Sequence, residues 1–201
     1  MQLRRMILVG LAMVMITLAF GCGPKAFTKG EYDDPTKVVL LDDRFNESDM
    51  QQMADTIVKA MIACEDISKA VKPPVVVVEK VQNRTEEHID MVAMTDMIRT
   101  NLIKSKRVRF VNKTERETVE GEMKYQESGA VSAETQKKRG RQTGAGYVLS
   151  GAMATNVQEM GDDKLIYYKL TMNLTNMETT EIDCTEEREI RKKFKRQSMG
   201  L

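Results

Sequence analysis

A chain of 201 residues with a formal net charge of +1 is long enough for one compact domain and a flexible extension. The near-neutral balance gives no electrostatic reason to expect nucleic acid as the main partner. Tryptophan is absent and aromatics reach only 5%, whereas methionine occurs 16 times, so an adaptable, methionine-rich core is expected.

Arg4 and Arg5 precede an apolar run from Met6 to Phe20, followed by Gly21-Cys22. That run is short of the ~20 residues a membrane-spanning helix takes. A basic start, an apolar stretch and small residues before a cut site make residues 1–21 a secretory signal peptide. A cysteine at the cut makes it a lipoprotein signal, although Leu18 stands four places before Cys22 where three is usual. Cys22 is therefore expected to carry diacylglycerol and an N-acyl chain, enough acyl carbon to anchor the protein stably to a membrane. Residues 22–36, with Pro24, Gly30 and Pro35, are expected to be a lipidated flexible tether reaching at most roughly 50 Å. Residues 37–196 are expected to form a single globular domain, and residues 197–201 a disordered tail.

Within the domain, Val38–Leu41 could form a short strand. Asn46 or Ser48 then caps an amphipathic helix, Asp49 to about Cys64, whose Met50, Met53, Ala54, Ile57, Val58, Met61 and Ile62 pack on a sheet. Asp66 to Lys72 is a polar connection ended by Pro73-Pro74. Val75–Val78 is too apolar to be half exposed and predicts a central strand, extended by Val81. A polar loop, Gln82–His88, leads to a helix from about Ile89 to Ser105 with Met91, Met94, Ile98 and Leu102 in one stripe, widened by Ile89, Met97 and Ile103. Arg107–Val111 alternates like a second strand, so strand, loop, helix and strand make a crossover unit. A weakly patterned helix runs from Asn112 or Thr114 to about Gln126. Ser132 can cap a basic helix, Ala133–Thr143, closed by Gly144. Gly146 begins a strand, Leu165–Asn173 is another, and Glu181 to about Arg191 is the last, giving an antiparallel meander. The fold class is α/β in the broad sense, an α+β sandwich with a mixed sheet packed with helices.

No stretch announces catalysis, and the chain is expected not to be an enzyme, with no metal and no cofactor beyond the lipid. His88 is the only histidine, and at a helix start it reads as a capping or surface group. Gly144-Ala-Gly146 lacks the third glycine of a dinucleotide loop and runs from helix into strand, the reverse of the required order. Cys64 and Cys184 are expected to be buried free thiols, with a bridge as the alternative in an oxidising compartment. Asn83 tolerates the conformation that leaves a strand, Thr85 can cap the following helix, and Glu86, Glu87 and Asp90 suit its positive end. The Arg84 guanidinium suits a carboxylate on a partner, or equally one that pins the loop from inside. Lys137–Arg141 and Arg191–Arg196 are expected to be solvated basic faces.

The run Val78–Thr85, the strand start Gly144–Leu149 and the closing Glu178–Ile182 resemble the penicillin-binding protein activator LpoB family over about Leu41 to Arg191. Two positions depart from it: Cys184 stands where relatives have tryptophan, and Gly146 where they carry a larger polar residue. The short tether also departs from the family's long linker. The resemblance implies a fold like the amino-terminal domain of TolB, without a catalytic centre. It implies an outer-membrane lipoprotein facing the periplasm, since Gly23 is not the aspartate that retains lipoproteins on the inner membrane. It further implies a monomer that docks on a class A penicillin-binding protein and stimulates peptidoglycan synthesis, with Glu79, Asn83, Arg84, Thr85, Tyr147 and Ser150 as the expected contacts. A structural or secretion lipoprotein related to curli assembly components, which share a similar strand start, is the competing resemblance.

Overall fold

The computed structural model describes residue 30 and residues 32–196. The expected signal peptide, Cys22, most of the tether and the tail 197–201 lie outside these residues. The chain divides into units 1–35 and 36–201, and every described helix and strand belongs to the second.

The first helix, α1 (Glu47–Ala63), starts with a capping box in which the Asn46 side chain accepts from the Asp49 N–H and the Asp49 carboxylate accepts from the Asn46 N–H. Five of the seven expected stripe residues, Met53, Ala54, Ile57, Val58 and Met61, are buried, while Met50 and Ile62 at its edges are half-buried against the core. The polar connection after it holds a one-turn helix, α2 (Glu65–Ser68). Val38–Leu41 is not a strand. It finds no ladder partner, and instead the Val39 N–H donates to Ser48 Oγ while the Val39 carbonyl accepts from Asn46 Nδ2.

Strands β1 (Val75–Val78) and β3 (Arg109–Val111) pair in parallel and are joined by α3 (Met91–Lys104), which confirms the crossover unit. Five of the expected stripe residues and neighbours of α3 are buried, but Ile103 is 48% exposed and does not widen the stripe. Between β1 and α3 lies a strand that the polar sequence concealed, β2 (Gln82–Arg84). Val81 does not extend β1; it is buried between the two strands and its N–H donates to Thr95 Oγ1.

After β3, α4 (Arg116–Tyr125) runs into a π-turn at Gln126–Ala130, where Gly129 has a φ of 90°. The expected helix over 133–143 does not form: Ser132 closes only a turn, accepting from the Thr135 and Gln136 N–H groups. The meander is longer than its apolar alternation suggests, with 14 residues each in β4 (Tyr147–Met160), β5 (Asp163–Asn176) and β6 (Ile182–Lys195). Gly161, at a φ of 60°, opens the two-residue turn between β4 and β5.

The mixed sheet has the order β3-β1-β4-β5-β6. Both β1 and β2 run parallel to β4, one against Tyr147–Leu149 and the other against Ala152–Ala154, like two pieces of one interrupted strand. Helices α1 and α3 cover one side, where Ile166, Tyr168, Leu170, Met172 and Leu174 of β5 join the core. Cys64, at the end of α1, and Cys184, in β6, form a disulfide with a Cα–Cα distance of 6.2 Å, so they are not free thiols. The bond joins the helix layer to the sheet where spacing alone imposed no pairing.

Gly151 of β4 faces Met172 of β5, and a Cβ there would lie 2.3 Å from Met172 Sδ and 2.5 Å from the Thr171 carbonyl oxygen. A methionine tip can swing aside, but a carbonyl held in a ladder cannot. Gly151→Ala is therefore expected to cost about 1–3 kcal/mol through overpacking. Urea unfolding should show a lower midpoint with an unchanged slope.

Candidate functional site

The strands' period of two sets the side chains of β4 and β5 on opposite sides of the sheet. Opposite the helices, β4 presents Ser150, Ala152 and Ala154, three small side chains in a row. Flanking them are Gln82 and Arg84 of β2 on one side and Lys169, Thr171 and Asn173 of β5 on the other. Small residues between longer ones leave a shallow open trough, and all eight of these side chains line it.

Arg84 is exposed, and its guanidinium donates from Nε and Nη2 to Gln82 Oε1, at 3.2 and 2.9 Å. No ion pair to Arg84 is present among the described residues, so the fork does not pin the loop from inside. Lys169 is tied to the Glu187 carboxylate on β6, whose hydrogen bond holds the ammonium pKa above its usual range. Asn173 accepts from Thr185 Oγ1 at 3.0 Å. The trough thus offers one guanidinium engaged only by a neutral amide, with a hydroxyl and an amide within the same hollow. That donor set suits a carboxylate-bearing segment.

Asn83 and Thr85 shape the loop behind Arg84. Asn83 Oδ1 accepts from the Thr85 N–H at 2.9 Å and from Thr85 Oγ1 at 2.7 Å, while Asn83 Nδ2 donates to the Glu87 carbonyl at 2.8 Å. Thr85 does not cap α3; Asp90 does, accepting from the Val92 and Ala93 N–H groups. Glu87 does not serve the helix dipole. It turns inward, accepting from the Phe45 N–H at 2.9 Å and from the Tyr168 hydroxyl. Burial, reinforced by that carboxylate, pushes the Tyr168 phenol well above its ordinary pKa. His88 is exposed.

The remaining two expected contacts stand apart from the trough. Glu79 lies past the end of β1, where it pairs with Lys113 at 2.5 Å. Tyr147 is on the helix side, half-buried against the core, with its phenol pKa raised by burial and then by Asp183. Arg84 and Ser150 are thus the two expected residues that the fold brings into one hollow. Gln82, Lys169, Thr171 and Asn173 join them unforeseen, although the alternation in β5 already set three of these opposite the buried face.

Over residues 49–190 the sequence matches the family described as peptidoglycan-synthase activator LpoB. No curated protein matches the chain. Similar solved structures include the LpoB C-terminal domain from Escherichia coli, at 19% identity and a TM-score of 0.48, covering 71% of this chain and 98% of that one. The same domain from Salmonella enterica gives 19% and 0.47 with the same coverage, and the NMR structure of E. coli LpoB gives 18% and 0.44, covering 87% and 88%. With well over half of its 201 residues matched, the chain belongs to the LpoB family of peptidoglycan-synthase activators.

Proposed function

We propose that this protein is a lipid-anchored regulator that binds a class A penicillin-binding protein and stimulates peptidoglycan synthesis allosterically, by preferring the active conformation of the synthase. Acyl chains on Cys22 hold it in the outer membrane, and the domain faces the periplasm as a monomer. The family match over residues 49–190 carries this reading. The Cys64–Cys184 disulfide supports the exported location, since such bonds persist in oxidising compartments. The trough supports docking as the mode of action, because it presents an exposed guanidinium that donates only to a neutral amide among the described residues.

In this reading Arg84 and Ser150, with Gln82 and Lys169, receive a carboxylate-bearing segment of the synthase, and Asn83 and Thr85 hold Arg84 in place. The test combines the mature, lipid-free chain with a purified bifunctional penicillin-binding protein and follows both binding and glycan polymerisation. The wild type is expected to bind and accelerate the synthase. Arg84→Glu places like charge against the partner and is expected to weaken binding about 30-fold or more, the size of a ~2 kcal/mol hot spot, with unfolding unchanged. Glu79→Ala is expected to bind like the wild type. Stimulation that survives in Arg84→Glu would move the docking face away from the trough, and absence of stimulation by the wild type would remove the activator reading itself.

A further inference from the structure

The disulfide lies within a wider set of metal-binding atoms. Cys64, Cys184 and Glu186 each offer one ligand atom, all within 4.8 Å of one another. Glu186 is two residues beyond Cys184 on β6, so the period of the strand points both side chains toward α1. Its carboxylate oxygen lies 3.8 Å from Cys64 Sγ, and Met61 Sδ lies 3.8 Å from Cys184 Sγ. Tetrahedral zinc with Zn–S bonds of about 2.3 Å and Zn–O bonds of about 2.0–2.2 Å sets its ligands roughly 3.5–3.8 Å apart. The carboxylate already sits near that distance from one sulfur, and separating the two bonded sulfurs completes the triangle.

We propose that, when the disulfide is reduced, Cys64, Cys184 and Glu186 form a zinc site that fastens α1 to β6 in place of the covalent bond. A dithiol reductant opens the bridge by exchange. One of its thiolates attacks a sulfur of the pair, and its second thiol displaces the mixed disulfide. The two electrons end on Cys64 and Cys184, and the reductant leaves as its own disulfide. Zinc then takes both sulfurs as thiolates, releasing two protons. Two thiolates and one carboxylate leave the bound dication with a net charge of −1 and its fourth position free for water. The carboxyl end of α1, where backbone carbonyls gather negative potential, adds a favourable field for a cation. Met61 is fully buried and Cys184 is 5% exposed, so one side of the site is dry and solvent there competes poorly with the three ligands for the metal. The site is independent of the trough, on the helix-covered side of the sheet.

The test uses the full mature chain reduced with a water-soluble phosphine, which leaves as its oxide, and titrates zinc chloride against a chromophoric chelator. Reduced wild type is expected to take up one equivalent of zinc and to shield both thiols from alkylation. Cobalt(II) in its place should give a near-ultraviolet thiolate-to-metal band. The oxidised wild type and Cys64→Ser/Cys184→Ser should show neither property. Glu186→Gln should weaken zinc binding about tenfold or more while keeping the cobalt–thiolate band. Far-ultraviolet circular dichroism covers the case in which reduction unfolds the chain, because zinc must then restore the folded spectrum. Uptake equal to that of the double-serine variant, affinity unchanged in Glu186→Gln, or failure of zinc to restore a lost fold would each overturn the proposal.

Discussion

Lys192→Met is expected to cost about 3–5 kcal/mol of folding stability, because it strands a buried carboxylate without its counter-ion. The Lys192 ammonium lies 2.5 Å from Asp49 Oδ2, with the two side chains 3% and 6% exposed. It also donates to the Arg44 carbonyl at 2.7 Å and stands 5.9 Å from the centre of the Tyr168 ring. Methionine fills much of the same volume, so the loss is electrostatic rather than a cavity. Asp49 keeps the Asn46 N–H as a donor, but one capping hydrogen bond does not compensate a desolvated charge. Asp49→Asn/Lys192→Met removes both charges and is expected to recover part of the loss. Urea unfolding of the two single variants and the pair should therefore give a coupling energy of about 2 kcal/mol or more, and additive losses would show that the two groups act separately. Lys193→Met, on an exposed neighbour, should stay within about 0.5 kcal/mol of the wild type. The Arg44 carbonyl gives the same variant a local signature. Residues 38–45 are held by Lys192, Ser48, Asn46 and Glu87, so hydrogen exchange there should rise first when Lys192 is lost.

Lys192 also marks where local sequence pattern stops being informative. A cluster of basic residues near the end of a chain reads as a solvated face, and Arg191, Lys193 and Lys195 are exposed. Strand period alone sets Lys192 on the side of Cys184, Ile190 and Phe194. Nothing local indicates that the charge is neutralised by Asp49, far away in the chain. Elements that bury an apolar stripe were legible: α1, α3 and the core face of β5 follow directly from spacing. Those that rest on propensity alone were not. The segment 133–143 has a plausible cap and a terminal glycine but no apolar face to bury, and a short helix without tertiary packing is marginal. Val38–Leu41 is apolar but has no strand beside it to pair with. Conversely, Gln82–Arg84 is polar throughout, yet it is a strand because β4 is long enough to offer it a ladder.

The candidate site divides in the same way. Arg84 could be singled out as a residue without a local duty, and Ser150 only through the family resemblance; the fold places the two in one trough. Asn83 and Thr85 carry turn chemistry that the sequence does reveal, but the turn supports Arg84 rather than capping α3. Tyr147 could not be assigned to a side of the sheet from sequence, because its strand opens with apolar residues on both faces and the register against β5 decides. The positions of Lys169 and Asn173 follow from the alternation of β5, but their meeting with Arg84 depends on β2, which the sequence did not disclose.

Removing the Cys64–Cys184 bond is expected to cost about 3–5 kcal/mol, comparable to the loss in Lys192→Met but by a different cause. The two cysteines are 120 residues apart, and opening so long a loop frees the unfolded chain, an entropy change worth roughly 4–5 kcal/mol on loop closure. The Cα–Cα distance of 6.2 Å lies within the range that disulfides span, so the folded backbone needs no rearrangement to hold the bond. Because either substitution breaks the same link, Cys64→Ala and Cys184→Ala should each lose nearly as much as the double variant. Lys192→Met and the double cysteine variant share no contact, so their losses should add. Unfolding in the absence of metal and reductant separates this effect from any zinc site. A double-alanine variant within about 1 kcal/mol of the wild type would mean that α1 and β6 stay together without the bond. The bond ties the carboxyl end of α1 to β6, whereas the capping end of α1 is held by Lys192. The two predictions thus probe opposite ends of one helix, one fixed by charge and the other by a covalent bond.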